Sequence, residues 1–226
     1  MKRTLILLLI TIAILPSFSQ EQSWMVDSLA AARNALRMHP DSIDLRLKKA
    51  GWNLRMGDYE FAKTEYDQVL HQDPGNPAAL YFRAFVNTKL GRYKFARLDY
   101  TNLLTIVPGH FEAQLGLALL NALDSRKTEA MDQINMLVEQ FPDSAVAYAA
   151  RGGMEVERKQ YLLAEYDYTQ ALLRDPHNED YILSRVHIYI VEKRYDEAQR
   201  DLDLLVSWGM SRASLQDYYE AIKNKK

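Results

Sequence analysis

Five of the seven prolines in this 226-residue chain recur at one constant spacing. Proline cannot continue a helix, and it forces the residue before it out of the α region, so a helix is expected to end close to each of these positions. A fixed period of about 20 to 50 residues is the signature of a repeat protein, in which each unit is one small supersecondary structure. The period here is 34 residues, and the prolines are Pro40, Pro74, Pro108, Pro142 and Pro176.

Three further columns keep the same step and predict how each unit turns and packs. A column of alanines leaves room for two helices to cross closely, and an apolar column indicates a buried face. The turn between the helices carries glycine in the first two units, where it supplies a left-handed cap. Each unit is thus predicted to be a helix, a short turn, a second helix and a proline-containing turn. The alanines are Ala62, Ala96, Ala130, Ala164 and Ala198; the apolar residues are Leu70, Leu104, Val138, Leu172 and Val206; the turn residues are Gly57, Gly91, Ser125, Lys159 and Lys193.

These columns resemble the tetratricopeptide repeat (TPR) family, whose 34-residue helical pair has small residues at the helix crossing, a Gly-Tyr-like turn and a terminal proline. The resemblance implies an all-α fold, a right-handed α-solenoid of stacked antiparallel helical hairpins with end helices that cap the stack. We predict a signal peptide over residues 1–19 and a single solenoid over 20–226. The solenoid comprises an N-terminal half-repeat at 24–40, repeats at 43–76, 77–110, 111–144, 145–178 and 179–212, and a C-terminal capping helix at 213–226.

The first nineteen residues have the layout of a secretory signal. Lys2 and Arg3 precede an apolar run from Leu5 to Leu15, and small residues follow at Ser17 and Ser19. Eleven helical residues span about 16 Å, roughly half of the ~30 Å hydrocarbon core, which disfavours a permanent membrane span. We therefore expect an exported, periplasmic bacterial protein. A secreted protein and a protein tethered by its uncleaved leader are the alternatives.

Composition excludes several classes of site. The chain has no cysteine, so disulfides, thiolate metal sites and cysteine nucleophiles are absent. Removal of Lys2 and Arg3 with the leader leaves 26 basic against 30 acidic residues, a formal charge of −4. This balance offers no cationic surface for nucleic acid or anionic lipid.

Two charged columns change together along the repeats. Four of the five units carry a basic residue in the first helix and an acidic residue sixteen positions later, whereas the third unit has Leu117 and Gln133. We predict one structural ion pair in each of the four charged hairpins. An anion-binding stripe of the basic residues is the weaker alternative, because each one has a matched acid. The predicted pairs are Lys49 with Glu65, Arg83 with Asp99, Arg151 with Asp167, and Arg185 with Asp201.

No pattern in the sequence indicates an enzyme, and no catalytic residue is predicted. The chain lacks a glycine-rich phosphate loop, a nucleophile elbow and a zinc-binding histidine pair. Its five histidines are scattered, and four lie at or beside the proline turns, so we expect no metal site and no cofactor. The acid-rich segments are expected to be solvated helix faces.

The first helix of each hairpin supplies the candidate binding surface, because the resemblance places these helices on the concave inner wall of the array. The second unit is aromatic there and the fourth is small, which suits an amphipathic helix or an extended peptide with a bulky side chain. Packing of the aromatic residues against neighbouring helices is an equally good interpretation. The predicted peptide-binding groove comprises Leu47, Lys48, Tyr81, Phe82, Phe85, Leu115, Leu119, Ala149, Gly153, Leu183 and His187.

The family's carboxylate clamp, which grips chaperone tails through polar groove residues, is not matched. Leu47, Gly51 and Phe82 stand where the clamp requires polar donors. We therefore predict an exported protein-binding scaffold or adaptor, whose partner is another protein or a peptide and not nucleic acid, with no membrane span in the mature chain. The alternative is a structural subunit of a cell-envelope complex that docks through its convex face or its end helices.

Overall fold

The computed structural model describes residues 23–223, so the predicted leader at 1–19 and the last three residues lie outside it. Twelve helices lie within the described residues. Helix α1 covers 23–38. The others are α2 (Ile43–Arg55), α3 (Tyr59–Gln72), α4 (Pro77–Lys89), α5 (Tyr93–Ile106), α6 (Phe111–Leu123), α7 (Lys127–Gln140), α8 (Ala145–Glu157), α9 (Tyr161–Arg174), α10 (Glu179–Val191), α11 (Tyr195–Ser207) and α12 (Gln216–Lys223).

The fold is all-α, with the helices in stacked antiparallel pairs like those of a TPR solenoid, and the predicted fold class is thereby confirmed. Five hairpins follow α1: α2 with α3, α4 with α5, α6 with α7, α8 with α9, and α10 with α11. We number them one to five. In each hairpin the first helix begins at the first residue predicted for the repeat.

A capping residue precedes every first helix. The side chain of Asn76 accepts a hydrogen bond of 3.0 Å from the Ala79 N–H, and Ser42, Ser144 and Asn178 cap their helices in the same way. His110 takes this role before α6, because its Nδ1 accepts from the Ala113 N–H at 3.3 Å. These side chains satisfy donors that a helix cannot satisfy within itself.

The turn inside every hairpin has a residue in the left-handed region. Gly57 and Gly91 have φ values of 77° and 70°, and Ser125, Lys159 and Lys193 adopt 60°, 59° and 63° in the same column. The next N–H then reaches back to a carbonyl five residues earlier, as from Arg92 to Asn87 at 2.8 Å. The same bond closes all five turns, so the conformation belongs to the repeat even where glycine is absent.

Small residues lie where the two helices of a hairpin cross. Ala84 and Ala96 are fully buried in hairpin two. In hairpin four a Cβ on Gly152 would lie 3.2 Å from the Tyr168 ring and 3.4 Å from the Ala164 carbonyl oxygen. The close approach of α8 and α9 therefore depends on glycine at this position.

The described residues divide into two compact units, one that ends at Ala113 and one that begins at Gln114. The core of the second unit ends in a cluster that joins α10, α11 and α12, with Leu202, Leu205, Leu215 and Ile222 buried in it. Helix α12 covers the last hairpin by this contact. Within residues 23–223, no helix combines the length and the apolar character that a membrane crossing requires.

Candidate protein-binding site

The structure brings the predicted charged residues together in all four hairpins. The Lys49 ammonium donates to Glu65 Oε1 at 2.5 Å. The three arginines each bind their aspartate through Nε and Nη2, at 2.8 and 2.6 Å from Arg83 to Asp99, 2.6 and 2.8 Å from Arg151 to Asp167, and 2.8 Å twice from Arg185 to Asp201. Two parallel bonds of this kind fix the orientation of the guanidinium relative to the carboxylate, in addition to the attraction between their charges.

The third nitrogen of each arginine contacts the preceding hairpin. Arg83 Nη1 donates to Asp67 Oδ1 at 2.8 Å, so one guanidinium ties α3, α4 and α5 together. Arg151 and Arg185 reach Asn135 and Thr169 in the equivalent positions, both at 3.3 Å. The sequence reasoning missed these partners, whose common spacing of sixteen residues before each arginine is the signal that was available.

Hairpin three replaces the ion pair with a neutral hydrogen bond. The Asn121 amide donates to Gln133 Oε1 at 2.8 Å. The basic residues of the other hairpins are already bound to carboxylates. Burial lowers the pKa of Arg83 and Arg185, but the hydrogen bonds and the negative charges of their aspartate partners together outweigh it, so that the pKa is raised overall. These side chains therefore organise the hairpins and are not a free anion-binding stripe.

A second buried carboxyl lies beside the Arg151 pair. Glu155 is 4% exposed and faces Asp167, and its Oε2 has no hydrogen-bond partner among the described residues. Burial, followed by the negative charge of Asp167, raises the pKa of Glu155 to about 7, and Arg151 only partly offsets this. Protonated Glu155 is then a hydrogen-bond donor toward Asp167.

Three of the five predicted groove residues of the first unit line an apolar pocket of about 380 Å³ between α2 and α4, whereas Tyr81 and Phe85 lie outside its lining. Leu47, Lys48 and Phe82 line it as members of the predicted groove. Pockets that bind small ligands or side chains begin at about 300 Å³. Further lining comes from residues that the sequence analysis did not assign to the groove, namely Gly51, Trp52, Leu54, Arg55, Tyr66 and Ala78.

The aromatic residues of hairpin two pack against neighbouring side chains and also remain partly exposed to solvent. Phe82 stacks on the buried Tyr66 ring with a centroid distance of 5.9 Å, yet it remains 38% exposed. Tyr81 is half-buried, with its ring stacked on His110 at 5.7 Å. Phe85 is half-buried under the Lys89 ammonium, which lies 5.3 Å from its ring centroid. The aromatic wall is therefore anchored to the core and still open to a partner.

The six groove residues of the second unit lie on α6, α8 and α10. Leu119 and His187 are exposed, and the other four are half-buried, so each has accessible surface. A Cβ on Gly153 would lie 3.5 Å from the Tyr168 hydroxyl, an ordinary contact. Among the described residues, no group of three or more histidine, aspartate or glutamate side chains is arranged to hold a metal ion.

Comparison with known families identifies the repeat. The tetratricopeptide repeat family profile matches residues 53–108 and again residues 89–145. The chain is a TPR protein. Proteins of this family are typically scaffolds without enzymatic activity, and such scaffolds bind other proteins. No curated protein matches the chain.

Solved TPR structures share the fold at low sequence identity. A TPR protein from Parabacteroides merdae is 20% identical, with a TM-score of 0.73 over 92% of this chain and 81% of its own. Pseudomonas aeruginosa PilF is 17% identical, with a TM-score of 0.68 over 91% and 92% of the two chains. YrrB, described as a TPR protein with an unusual peptide-binding site, is 17% identical, with a TM-score of 0.57 over 86% and 97%. At these identities the likeness concerns the fold alone.

Proposed function

We propose that this TPR protein is an exported adaptor that binds a protein or peptide on the surface formed by its first helices. The observation that carries the proposal is the apolar pocket between α2 and α4, which adjoins the half-exposed Phe82. An apolar surface that stays open to solvent is a common mark of an interaction site. YrrB, which shares the fold, has a peptide-binding site, and this supports peptide recognition as a use of such an array.

Export is the second part of the proposal and depends on the leader. Lys2 and Arg3, the apolar run from Leu5 to Leu15 and the small residues at Ser17 and Ser19 support cleavage after Ser19 and release into the periplasm. Mass spectrometry of the protein from the cell envelope tests this. A product that begins at Gln20 agrees with the proposal, whereas a product that retains residues 1–19 favours a membrane tether.

A structural subunit of a cell-envelope complex is the second candidate function. It is favoured by large apolar side chains on the second helices, where Phe61, Phe95 and Leu98 are 64%, 63% and 57% exposed. These three residues define a second-helix patch within the first unit. Docking through this patch would leave the pocket between α2 and α4 unused.

Affinity capture from envelope extract separates the two candidates. The bait is the chain from Gln20 onward, compared with a Tyr81→Ala/Phe82→Ala/Phe85→Ala variant. The matched control is Phe61→Ala/Phe95→Ala/Leu98→Ala, which removes as many large apolar side chains from the second-helix patch. Unchanged helicity and melting temperature are required of both variants, because Tyr81 and Phe82 also pack on the core.

We expect the groove variant to lose a partner that the wild-type and control baits both recover. Loss from the second-helix variant alone would instead establish the assembly role. Equal recovery by all three baits would contradict both assignments of the working surface.

A further inference from the structure

The pocket between α2 and α4 exists because two positions in it are small. Gly51 occupies a column that holds Phe85 in hairpin two and Leu119 in hairpin three. A Cβ added at Gly51 would have no atom within 4 Å, so the space beside it is open. Ala78, one turn before Phe82 on α4, is the second small residue in the lining.

The charged residues that line the pocket are all cationic. Its nine lining residues include two cations, Lys48 and Arg55, and no acid. Neither cation has a carboxylate partner among the described residues, whereas Arg46 and Lys49 on the same helix are bound to Glu65. Arg55 instead lies over the Trp52 ring, at 5.5 Å from its centroid. An acidic partner would therefore find unpaired cations beside an apolar cavity.

The spacing of these cations constrains the ligand. Lys48 and Arg55 are seven residues apart on α2, which places them on one face at a separation of about 10 Å along the helix. In an extended peptide, the side chains two residues before and two residues after a central residue share its face and lie about 13 Å apart. One acid at each of these two positions therefore places the carboxylates at a separation comparable to that of the two cations.

We infer that the pocket between α2 and α4 is a recognition pocket for a short acidic peptide in extended conformation, with one large apolar side chain inserted beside Gly51 and acidic residues on both flanks. This inference rests on the proposed function and specifies its partner. The anchor side chain contacts Leu47, Leu54 and Phe82, and the flanking carboxylates face Lys48 and Arg55.

Three fluorescein-labelled nine-residue peptides test the inference by fluorescence anisotropy. The first has a central Trp with Asp and Glu flanks, the second replaces the Trp with Ala, and the third keeps the Trp with Lys flanks. We expect saturable binding of the first peptide and at least tenfold weaker binding of the other two. Because the flanks bind through charge, the affinity of the first peptide falls as salt is raised.

Two pairs of variants locate the binding. Gly51→Phe fills the pocket with the side chain that hairpin two already carries at this position. Its control is Gly109→Phe, at an exposed turn outside the groove where an added Cβ would likewise have no atom within 4 Å. Lys48→Glu/Arg55→Glu reverses the pocket charges, and Lys94→Glu/Lys127→Glu makes an equal change of net charge at exposed positions on second helices. We expect Gly51→Phe and the pocket charge reversal each to raise the Kd for the first peptide at least tenfold, and both controls to leave it within twofold.

Gly51→Phe replaces a glycine inside a helix, so it is expected to keep or raise the melting temperature, and loss of binding cannot then be attributed to unfolding. Absence of binding by the first peptide, equal binding of all three peptides, or normal binding by Gly51→Phe would overturn the inference. The Tyr81→Ala/Phe82→Ala/Phe85→Ala bait could lose its partner in extract although the acidic peptide does not bind as expected. In that case the proposed function stands, and only the assignment of an acidic peptide to the pocket is wrong.

Discussion

Glu155 occupies a position that the other hairpins give to uncharged side chains. Asn53, Asn87 and Asn121 stand there in the first three hairpins, and Tyr189 stands there in the fifth. All five side chains are buried. A neutral asparagine can occupy this position without burying a charge, whereas an ionised glutamate must lose its hydration there. Ionisation of Glu155 in hairpin four therefore opposes folding near neutral pH.

The Glu155→Gln variant tests this consequence. The folded-state pKa of about 7 exceeds the ordinary value of 4.5, so the folded state binds more protons than the unfolded state between these two pH values. The free energy of unfolding must then fall as pH rises through this window, and the full cost, on the order of 3 kcal/mol, applies above pH 7. We expect urea denaturation to show that Glu155→Gln is more stable than wild type at pH 8. The free energy of unfolding of this variant should also change less with pH between pH 4.5 and 7. Glu157→Gln, at an exposed position on the same helix, is the control, and an unchanged pH profile in Glu155→Gln would contradict the account.

The left-handed turn residues give a second prediction for single positions. Lys159 adopts a φ of 59°, which costs a residue with a side chain about 1–2 kcal/mol, whereas glycine adopts it without that cost. Glycine also loses about 0.5–1 kcal/mol more conformational entropy on folding, so the expected net gain of Lys159→Gly is between about 0 and about 1.5 kcal/mol. Gly91→Ala, at the same position in hairpin two, should lower stability by a similar amount. Thermal and urea unfolding measure both, and a destabilised Lys159→Gly would show that the Lys159 side chain makes an interaction that outweighs strain.

At the scale of helices, each arginine of the charged column holds three helices together. Arg83 on α4 is bound to Asp99 on α5 and to Asp67 on α3. The Asp99 side chain is only 2% exposed, so Arg83 supplies the counter-charge that water cannot supply there. The pairs specify how a hairpin aligns with its neighbour, because a displaced helix would leave a buried carboxylate unpaired.

Arg83→Leu should therefore destabilise the protein by about 3 kcal/mol, since it leaves Asp99 buried without a counter-ion. Arg83→Leu/Asp99→Gln should recover much of this loss, because hairpin three folds with Leu117 and Gln133 at these positions and bonds the glutamine to Asn121. Arg92→Leu, which breaks an exposed pair with Glu60, should cost less than about 1 kcal/mol. Urea denaturation of the four proteins gives the comparison, and a double variant no more stable than Arg83→Leu would contradict the explanation.

The helical hairpins follow from the sequence because their determinants are local. Pro74 ends one helix and Asn76 caps the next, and the positions of Gly57 and Ala62 follow from the same 34-residue step. The contact of Arg83 with Asp67 does not follow from one repeat, because it depends on how far α4 lies from the preceding hairpin. The pocket beside Gly51 is harder still to anticipate, since its volume depends on side chains from α2, α3 and α4 together. The sequence therefore identified parts of its lining, Leu47, Lys48 and Phe82, without locating the cavity.

At the scale of the whole molecule, the repeat positions divide into two kinds. The column of Ala62, Ala96, Ala130, Ala164 and Ala198 does not vary, because every hairpin must pack its two helices closely. The first-helix column of Gly51, Phe85, Leu119, Gly153 and His187 changes from each hairpin to the next. Packing does not require this variation, so we propose that it serves recognition. The shared fold explains why distant TPR proteins superpose, and the variable column is where a partner specific to this chain is expected to bind.

Photo-crosslinking in intact cells tests whether the first-helix surface is the one that binds a partner. A benzoylphenylalanine replaces Phe82 beside the pocket in one strain and the more exposed Phe95 on the second-helix patch in another. Both positions carry an aromatic ring already, so the change is conservative at each. We predict a crosslinked adduct with another protein or peptide from position 82 and little or none from position 95. An adduct from position 95 alone would contradict it and would assign the working surface to the second helices.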